Sequence, residues 1–404
     1  MVSDMWMNVE PLIRQKILRT AAVLPFVTVC GLAAGFMAGL LGVAVVSSKA
    51  PGTRDYIVFW ATAQLLTHHA NPYDEDAITR LERKEGLPLN VKIGYMRNPP
   101  WSLPLIYPLG FFSARVGWLL WSTLLLACLA ASVRLIWIMY GRPRNSRYLL
   151  GLSFAPALYG VLCGQTSLLM LPGLVLFLRM YRTRPFLAGI ALGLLALKPH
   201  LFLPFGVVLA VWVLVSRSYK LAAGALVAMA ASCAITSLID PLAWTQYFQM
   251  VRTAKIDQAS IPCLSYLLRN LLLPRSTGLL FLPATLGCVW ALVYFWPRRR
   301  TWDWTKDGSL LMLVSLLVAP YLWIYDQGMV IPALLQGAFL TRSRNLLIAL
   351  AFLSALVEIV IFRGLVYPKT MHLWMYWTAP AWLAWYLVAR AVEREPRIVP
   401  SPEL

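Results

Sequence analysis

Residues 115–138 read RVGWLLWSTLLLACLAASVRLIWI. Such a run matches the roughly 17–25 apolar residues that one helix needs to cross a hydrocarbon core. Arg142, Arg144 and Arg147 follow it directly, and the positive-inside rule assigns that basic turn to the cytoplasm. The longer stretch Trp101 to Tyr140 has room for two crossings, but with those arginines inside only one fits. Trp101 to Phe112 then reads as a re-entrant or interfacial piece, and the register of every later span follows. If Trp101 to Phe112 crosses instead, there is one span more and some loops change sides.

Working outward, a first span runs from Thr20 to Val46 behind Arg14, Lys16 and Arg19, which place the N-terminus inside. It is too long for a signal-peptide core and lacks a small-residue cleavage site, so it reads as an uncleaved anchor. Its Gly31, Gly35 and Gly39 are spaced for close helix contact. Downstream, spans are expected near 148–163, 166–181, 185–197, 201–216, 220–238, 278–296, 308–323, 327–341, 345–362 and 373–391. The short turns assigned to the inside carry Arg179, Arg182, Arg184, Arg217, Lys220, Arg298, Arg299, Arg300, Lys306, Arg342 and Arg344, while those near Gln165 and Asp326 carry no Lys or Arg. The expectation is an all-α polytopic membrane protein of about 12 (11–13) transmembrane helices with both termini cytoplasmic. Residues 1–404 form one integral-membrane domain, with outer loops at 47–100 and 239–277.

Composition agrees. Apolar residues make up 59% of the chain and charged residues 13%, too apolar for a soluble domain. The net charge of +19 is spread over short inter-span clusters rather than one face, which argues against nucleic acid. The six cysteines include no CxxC and no pairable set, so neither zinc nor a disulfide framework is indicated.

The first outer loop contains two expected short helices. Asp55 to Thr67 places Tyr56, Phe59, Trp60, Ala63 and Leu66 on one face, the pattern of an interfacial helix. Asp74 to Glu85 has acids in its first turn, bases in its last, and Gly86 after it, consistent with capping and the helix dipole.

Polar residues at span ends and outer loops fall on one side, suggesting an outward-facing cavity. They include Asp55, Asn71, Asn98, Gln165, Lys198, His200, Gln258, Tyr325 and Asp326, with Tyr56 and Tyr73 as further pocket candidates. Asp55 is either a helix cap or dipole partner, or a general base near the membrane surface. Lys198 is either a snorkelling lysine or, with His200, a cationic site for a lipid phosphate. Gln165 and the pair Tyr325-Asp326 are either turn and helix caps or pocket groups. The adjacent His68 and His69 lack further ligands at metal spacing and read as interfacial side chains. No nucleotide-binding, zinc-protease or serine-hydrolase motif occurs. Chemistry outside the cell without a nucleotide favours a lipid-linked donor.

These residues resemble a family. Arg54-Asp55-Tyr56, Asn71-Pro72-Tyr73-Asp74, and Tyr95 with Asn98-Pro99-Pro100 look like the first outer loop of glycosyltransferase family 87, which includes polyprenol-phosphate-mannose-dependent mannosyltransferases of the GT-C fold. The resemblance continues through Gly164-Gln165-Thr166-Ser167-Leu168, Lys198-Pro199-His200, Asp257-Gln258 and Tyr325-Asp326. It departs at Tyr56, where phenylalanine is common, and at Asp257, where asparagine is frequent. It implies a GT-C-type bundle in the plasma (inner) membrane and an inverting transfer on the extracytoplasmic side. The sugar, mannose or another hexose or pentose, would pass from a polyprenyl phosphate to a glycan or glycolipid hydroxyl, with Asp55 as base. Its partners would be that donor, the acceptor and membrane lipids, with no nucleic acid. No cofactor or metal site is assigned, and use of a divalent ion stays open. A transporter or flippase of a lipid-linked sugar is the alternative reading.

Overall fold

A computed structural model describes Gly31, Gly35, Gly39 and residues 54–87, 95–253, 261–272, 276, 278–366 and 374–394. Every regular element among them is helical. Four helices are long and apolar enough to cross a membrane: Ala114–Met139, Tyr219–Ile239, Gly278–Arg298 and Arg344–Arg363. Their centres match four of the expected spans.

Ala114–Met139 shows why the solvent around these helices is lipid. Trp118, Trp121, Leu125 and Leu129 are buried on one side, while Leu119, Leu120, Leu124 and Leu126 are exposed on the other. A helix apolar all round cannot face water along half its surface, whereas hydrocarbon imposes no such polarity. Leu226, Val227 and Leu238 on Tyr219–Ile239, and Phe352 and Ile359 on Arg344–Val366, repeat the pattern. The protein is therefore a multi-pass membrane protein.

The remaining expected spans take a different form. Residues 185–197 and 201–216 are two limbs of one bent unit, Pro185–Leu197 and Pro199–Val215, meeting at 117°. Pro199 explains the break. It has no N–H to donate and pushes Lys198 out of the helical region, to φ −140° and ψ 69°. Each limb is shorter than the about 20 residues a crossing requires. Other expected crossings are likewise built from short pieces, such as Ala155–Cys163, Ser167–Met180, Trp304–Leu317 and Ile331–Leu340. Helix length alone thus supplies four or five crossings among the described residues, not the expected twelve. The span at 20–46 lies outside them except for its three glycines, which are helical and exposed. An added Cβ at any of the three would meet nothing within 4 Å.

Residues 101–112 form a broken hook of short helices, Pro100–Ser102, Leu103–Ile106 and Tyr107–Phe111. The hook is held by Ser232 Oγ donating to Trp101 O (2.6 Å) and Thr236 Oγ1 donating to Pro100 O (2.8 Å). It wraps the first outer-loop helix, Arg54–Thr67, whose Trp60 Nε1 and Gln64 Nε2 donate to Phe112 O and Gly110 O (both 2.9 Å).

That wrapping corrects the interfacial expectation for Arg54–Thr67. Besides the predicted face, Ile57, Val58, Ala61, Thr62 and Leu65 are also buried. The helix is an interior element: the hook covers Trp60, Ala63, Gln64 and Thr67, and Glu75–Lys84, Ala114–Met139 and Ala155–Cys163 also pack against it. The second loop helix, Glu75–Lys84, matches its expected caps. Asp74 accepts from Asp76 N and Ala77 N (both 3.0 Å), and Gly86 takes φ 96°.

Candidate active site

The site forms where the first outer loop meets three span ends. Gly164 is the hinge of this meeting. It closes helix Ala155–Cys163 with φ 71°, a left-handed conformation that favours glycine. A Cβ there would stand 2.5 Å from Tyr56 Cβ. Trp121 Nε1 fixes the turn from the other side by donating to Gly164 O at 2.7 Å. Asp55, in the first turn of Arg54–Thr67, is thereby brought beside the Gln165 turn.

At the Lys198 elbow a buried polar cluster assembles. Lys198 Nζ donates to Asp326 Oδ1 (2.6 Å), to Gln165 Oε1 (2.8 Å) and to Ser167 Oγ (3.4 Å). Ser167 Oγ also donates to Asp326 Oδ1. The other carboxylate oxygen accepts from Trp323 N at 3.1 Å. The Lys198 side chain is 11% exposed and that of Asp326 fully buried. The ammonium lies 5.0 Å from the Tyr325 ring centroid. Asp326 therefore caps the short helix Ile324–Val330, one of the two roles the sequence left open, and in addition anchors the lysine.

Further charged and aromatic groups gather around this pair. The charge of Asp55 acts on the hydroxyls of both Tyr321 and Tyr325, and the charges of Arg97 and Asp326 act on Tyr321. His200 stacks edge-on to Tyr321, with ring centroids 5.6 Å apart. Its Nε2 is buried and has no hydrogen-bond partner among the described residues. Segment 97–101 is tied to the elbow by Trp101 Nε1 donating to Ala196 O at 2.8 Å. Asp55, Arg97, His200 and the Lys198–Asp326 pair thus come together from four distant parts of the chain.

The sequence-predicted residues divide accordingly. Gln165, Lys198, His200, Tyr325 and Asp326 come together, and Asp55 lies beside them. Tyr56 does not line the pocket. It is fully buried, and its hydroxyl donates to Ala114 O at 2.7 Å. Asn71 Oδ1 accepts from Tyr73 N (2.9 Å), shaping the loop, and Tyr73 OH donates to Asn98 O (3.1 Å). Asn71, Tyr73 and Asn98 therefore set the path of the strap that carries Arg97. Gln258 lies outside the described residues. Sequence reasoning missed Arg97, Ser167 and Tyr321 as site residues. Arg97 sits directly before the Asn98-Pro99-Pro100 motif, the one signal that could have found it. No group of three or more His, Cys, Asp or Glu side chains among the described residues could hold a metal ion.

Apolar helices that bury a charge-paired polar cluster define a membrane protein with a candidate functional site, since ionisable groups at membrane depth are costly. The family model of glycosyltransferase family 87 matches residues 95–320. The chain belongs to that family and is a membrane glycosyltransferase. The matched region contains Arg97, Gln165, Ser167, Lys198 and His200, while Asp55, Tyr321 and Asp326 flank it. No curated protein and no solved structure matches the chain.

Proposed function

We propose that this protein transfers a sugar from a polyprenyl-phosphate donor to a hydroxyl acceptor on the extracytoplasmic face of the plasma membrane, with inversion. The fold behind it would be a GT-C-type bundle of about twelve crossings, some made by broken helices, with both termini cytoplasmic. The observation that carries this reading is the convergence of Asp55 with Arg97, His200 and the Lys198–Asp326 pair. A carboxylate and cationic groups at one site are what acid–base glycosyl transfer from a phosphate leaving group requires.

In the proposed step the acceptor hydroxyl oxygen attacks the anomeric carbon. The carbon–oxygen bond to the phosphate breaks, and its electron pair leaves on the polyprenyl phosphate. The acceptor proton passes to Asp55. A β-linked donor yields an α-glycoside. Asp326 already neutralises Lys198 at 2.6 Å, so the phosphate's new charge falls mainly to Arg97. Lys198 acts from below as a fixed dipole with its carboxylate. The unpartnered His200 Nε2 offers a hydrogen bond. The sugar and the acceptor are left to experiment.

The test is Asp55→Asn with a radiolabelled polyprenyl-phosphate sugar. Inside the first turn asparagine forgoes only the about 0.3–1 kcal/mol that the aspartate charge gains from the helix dipole, but it is a very poor base. The variant is expected to fold and bind donor while losing at least about a hundredfold in turnover. Near-normal turnover would overturn Asp55 as the base.

A further inference from the structure

A second cavity opens at the other end of the molecule. Ala114 touches the Tyr56 hydroxyl near the candidate active site. The helix of 26 residues that begins there ends at Met139, in the wall of this cavity. At 1.5 Å per residue the two sites are about 39 Å apart along that helix, more than the hydrocarbon thickness. The cavity has a volume of about 860 Å³.

Four cations border it: Arg179, Arg184, Lys306 and Arg390. They come from four helix ends: the end of Ser167–Met180, the start of Pro185–Leu192, the start of Trp304–Leu317 and the end of Thr378–Arg394. Among the described residues no carboxylate pairs with Arg179, Arg184 or Lys306. The two nearest acids in sequence are engaged elsewhere. Asp303 pairs with Arg182 at 3.3 Å, and Asp307 accepts from Asp303 N at 3.2 Å. Arg390 keeps its charge but is held in place by donating to Lys306 O and Tyr386 OH (both 3.4 Å). The apolar part of the wall is Met139, Leu178, Met180 and Leu340, and Tyr140, Thr183, Thr305 and Gln336 complete it.

Basic turns as such need no ligand, because the positive-inside rule accounts for them. That rule does not explain why turns far apart in sequence should bring cations without a paired carboxylate to the border of one concave space that is also lined by leucine and methionine side chains. Like charges held together repel unless an anion joins them. We infer that this cavity binds the phosphate headgroup of an anionic lipid, with its acyl chains against the apolar wall. The inference is independent of the catalytic proposal. Only the leaflet, the cytoplasmic one, rests on the topological reading. Basic pockets between transmembrane helices recognise phosphate-bearing headgroups in this way.

The test uses the purified full-length protein in neutral detergent, with lipid binding read by native mass spectrometry. Phosphatidylglycerol and phosphatidylcholine share a phosphate and tails but differ in net charge. Phosphatidylglycerol is expected to bind at least tenfold tighter, and the preference to fall as salt rises. The triple variant Arg179→Gln, Arg184→Gln, Lys306→Gln is expected to weaken it by about fivefold per cation, on the order of a hundredfold in all. A control with the same charge loss elsewhere, Lys220→Gln, Arg299→Gln, Arg300→Gln, is expected to change it less than about threefold. Equal binding of the two lipids, or equal effects of the two triple variants, would overturn the site. Full displacement of phosphatidylglycerol by millimolar inorganic phosphate would assign the cavity to a soluble phosphate and overturn the lipid.

Discussion

Replacing Lys198 by methionine removes a buried ammonium while keeping most of its volume. The fully buried Asp326 then loses its ion-pair partner at 2.6 Å. Breaking a buried pair from one side costs about 3–5 kcal/mol, because the remaining charge is uncompensated. Asp326 keeps two other donors, Ser167 Oγ and Trp323 N. The loss is therefore expected at the lower end, about 3 kcal/mol. The double variant Lys198→Met/Asp326→Asn leaves no buried charge, and asparagine can still accept from Trp323 N, so about 1 kcal/mol is expected. Unfolding in mixed micelles by titrated denaturing detergent measures all four corners of the cycle, including Asp326→Asn alone. Non-additivity of about 2 kcal/mol or more is expected. If Lys198→Met costs less than about 1 kcal/mol, or the double variant costs the sum of the singles, the pair is not what holds the elbow to the Ile324–Val330 turn. A variant of unchanged stability with a raised donor KM would return Lys198 to direct phosphate binding.

Gly164→Ala is expected to lower stability by more than about 2 kcal/mol, since it adds left-handed strain to a collision with Tyr56; an unchanged melting temperature would refute the hinge. Glu82 is buried and its carboxyl is pushed up to about 7 by burial, against the pull of Arg83. A raised carboxyl pKa contributes stability that is full below the unfolded value and lost as pH rises through about 7. Glu82→Gln should therefore melt higher than the parent at about pH 8 and no higher near pH 4.5, and parallel pH–stability curves would contradict this. Single cysteines at Asn145 and Arg299 are expected to react with an impermeant thiol reagent only from the cytoplasm, and one at Asp76 only from outside. External labelling at Asn145 would invert the topology.

The fold was legible in the sequence where one long apolar run makes one helix. The runs centred on 115–138, 220–238, 278–296 and 345–362 appear as expected because hydropathy over a full crossing needs no tertiary information. It was less legible where proline and loop residues break runs into limbs, since a hydropathy reading splits 185–216 at Lys198-Pro199 without showing the angle between the parts. Half of the candidate site was equally plain. Gln165, Lys198, Tyr325 and Asp326 stand out as polar residues at apolar borders. What they do to one another was hidden, because a lysine beside a proline looks the same whether it faces a ligand or an aspartate 128 residues away. Tyr56 failed for the opposite reason: a tyrosine next to a key aspartate looks like a pocket residue, yet successive helix positions point about 100° apart. Arg97 and Tyr321 carried little signal, since neither interrupts an apolar run.

The sequence separation of Lys198 from Asp326 also sets a timetable for biosynthesis. The chain enters the membrane from its N-terminus at about 5–20 residues per second. With 128 residues between the partners, Lys198 waits about 6–25 s at the translocon before its carboxylate is made. On insertion scales an unpaired lysine costs up to about 2.5–3.5 kcal/mol at a helix centre, and less at a span end such as that of Lys198. Until Asp326 arrives, the elbow is expected to ride toward the interface with its ammonium in water. The pocket therefore closes late in synthesis, and a nascent chain stalled before Asp326 would hold the helices of this enzyme without its site.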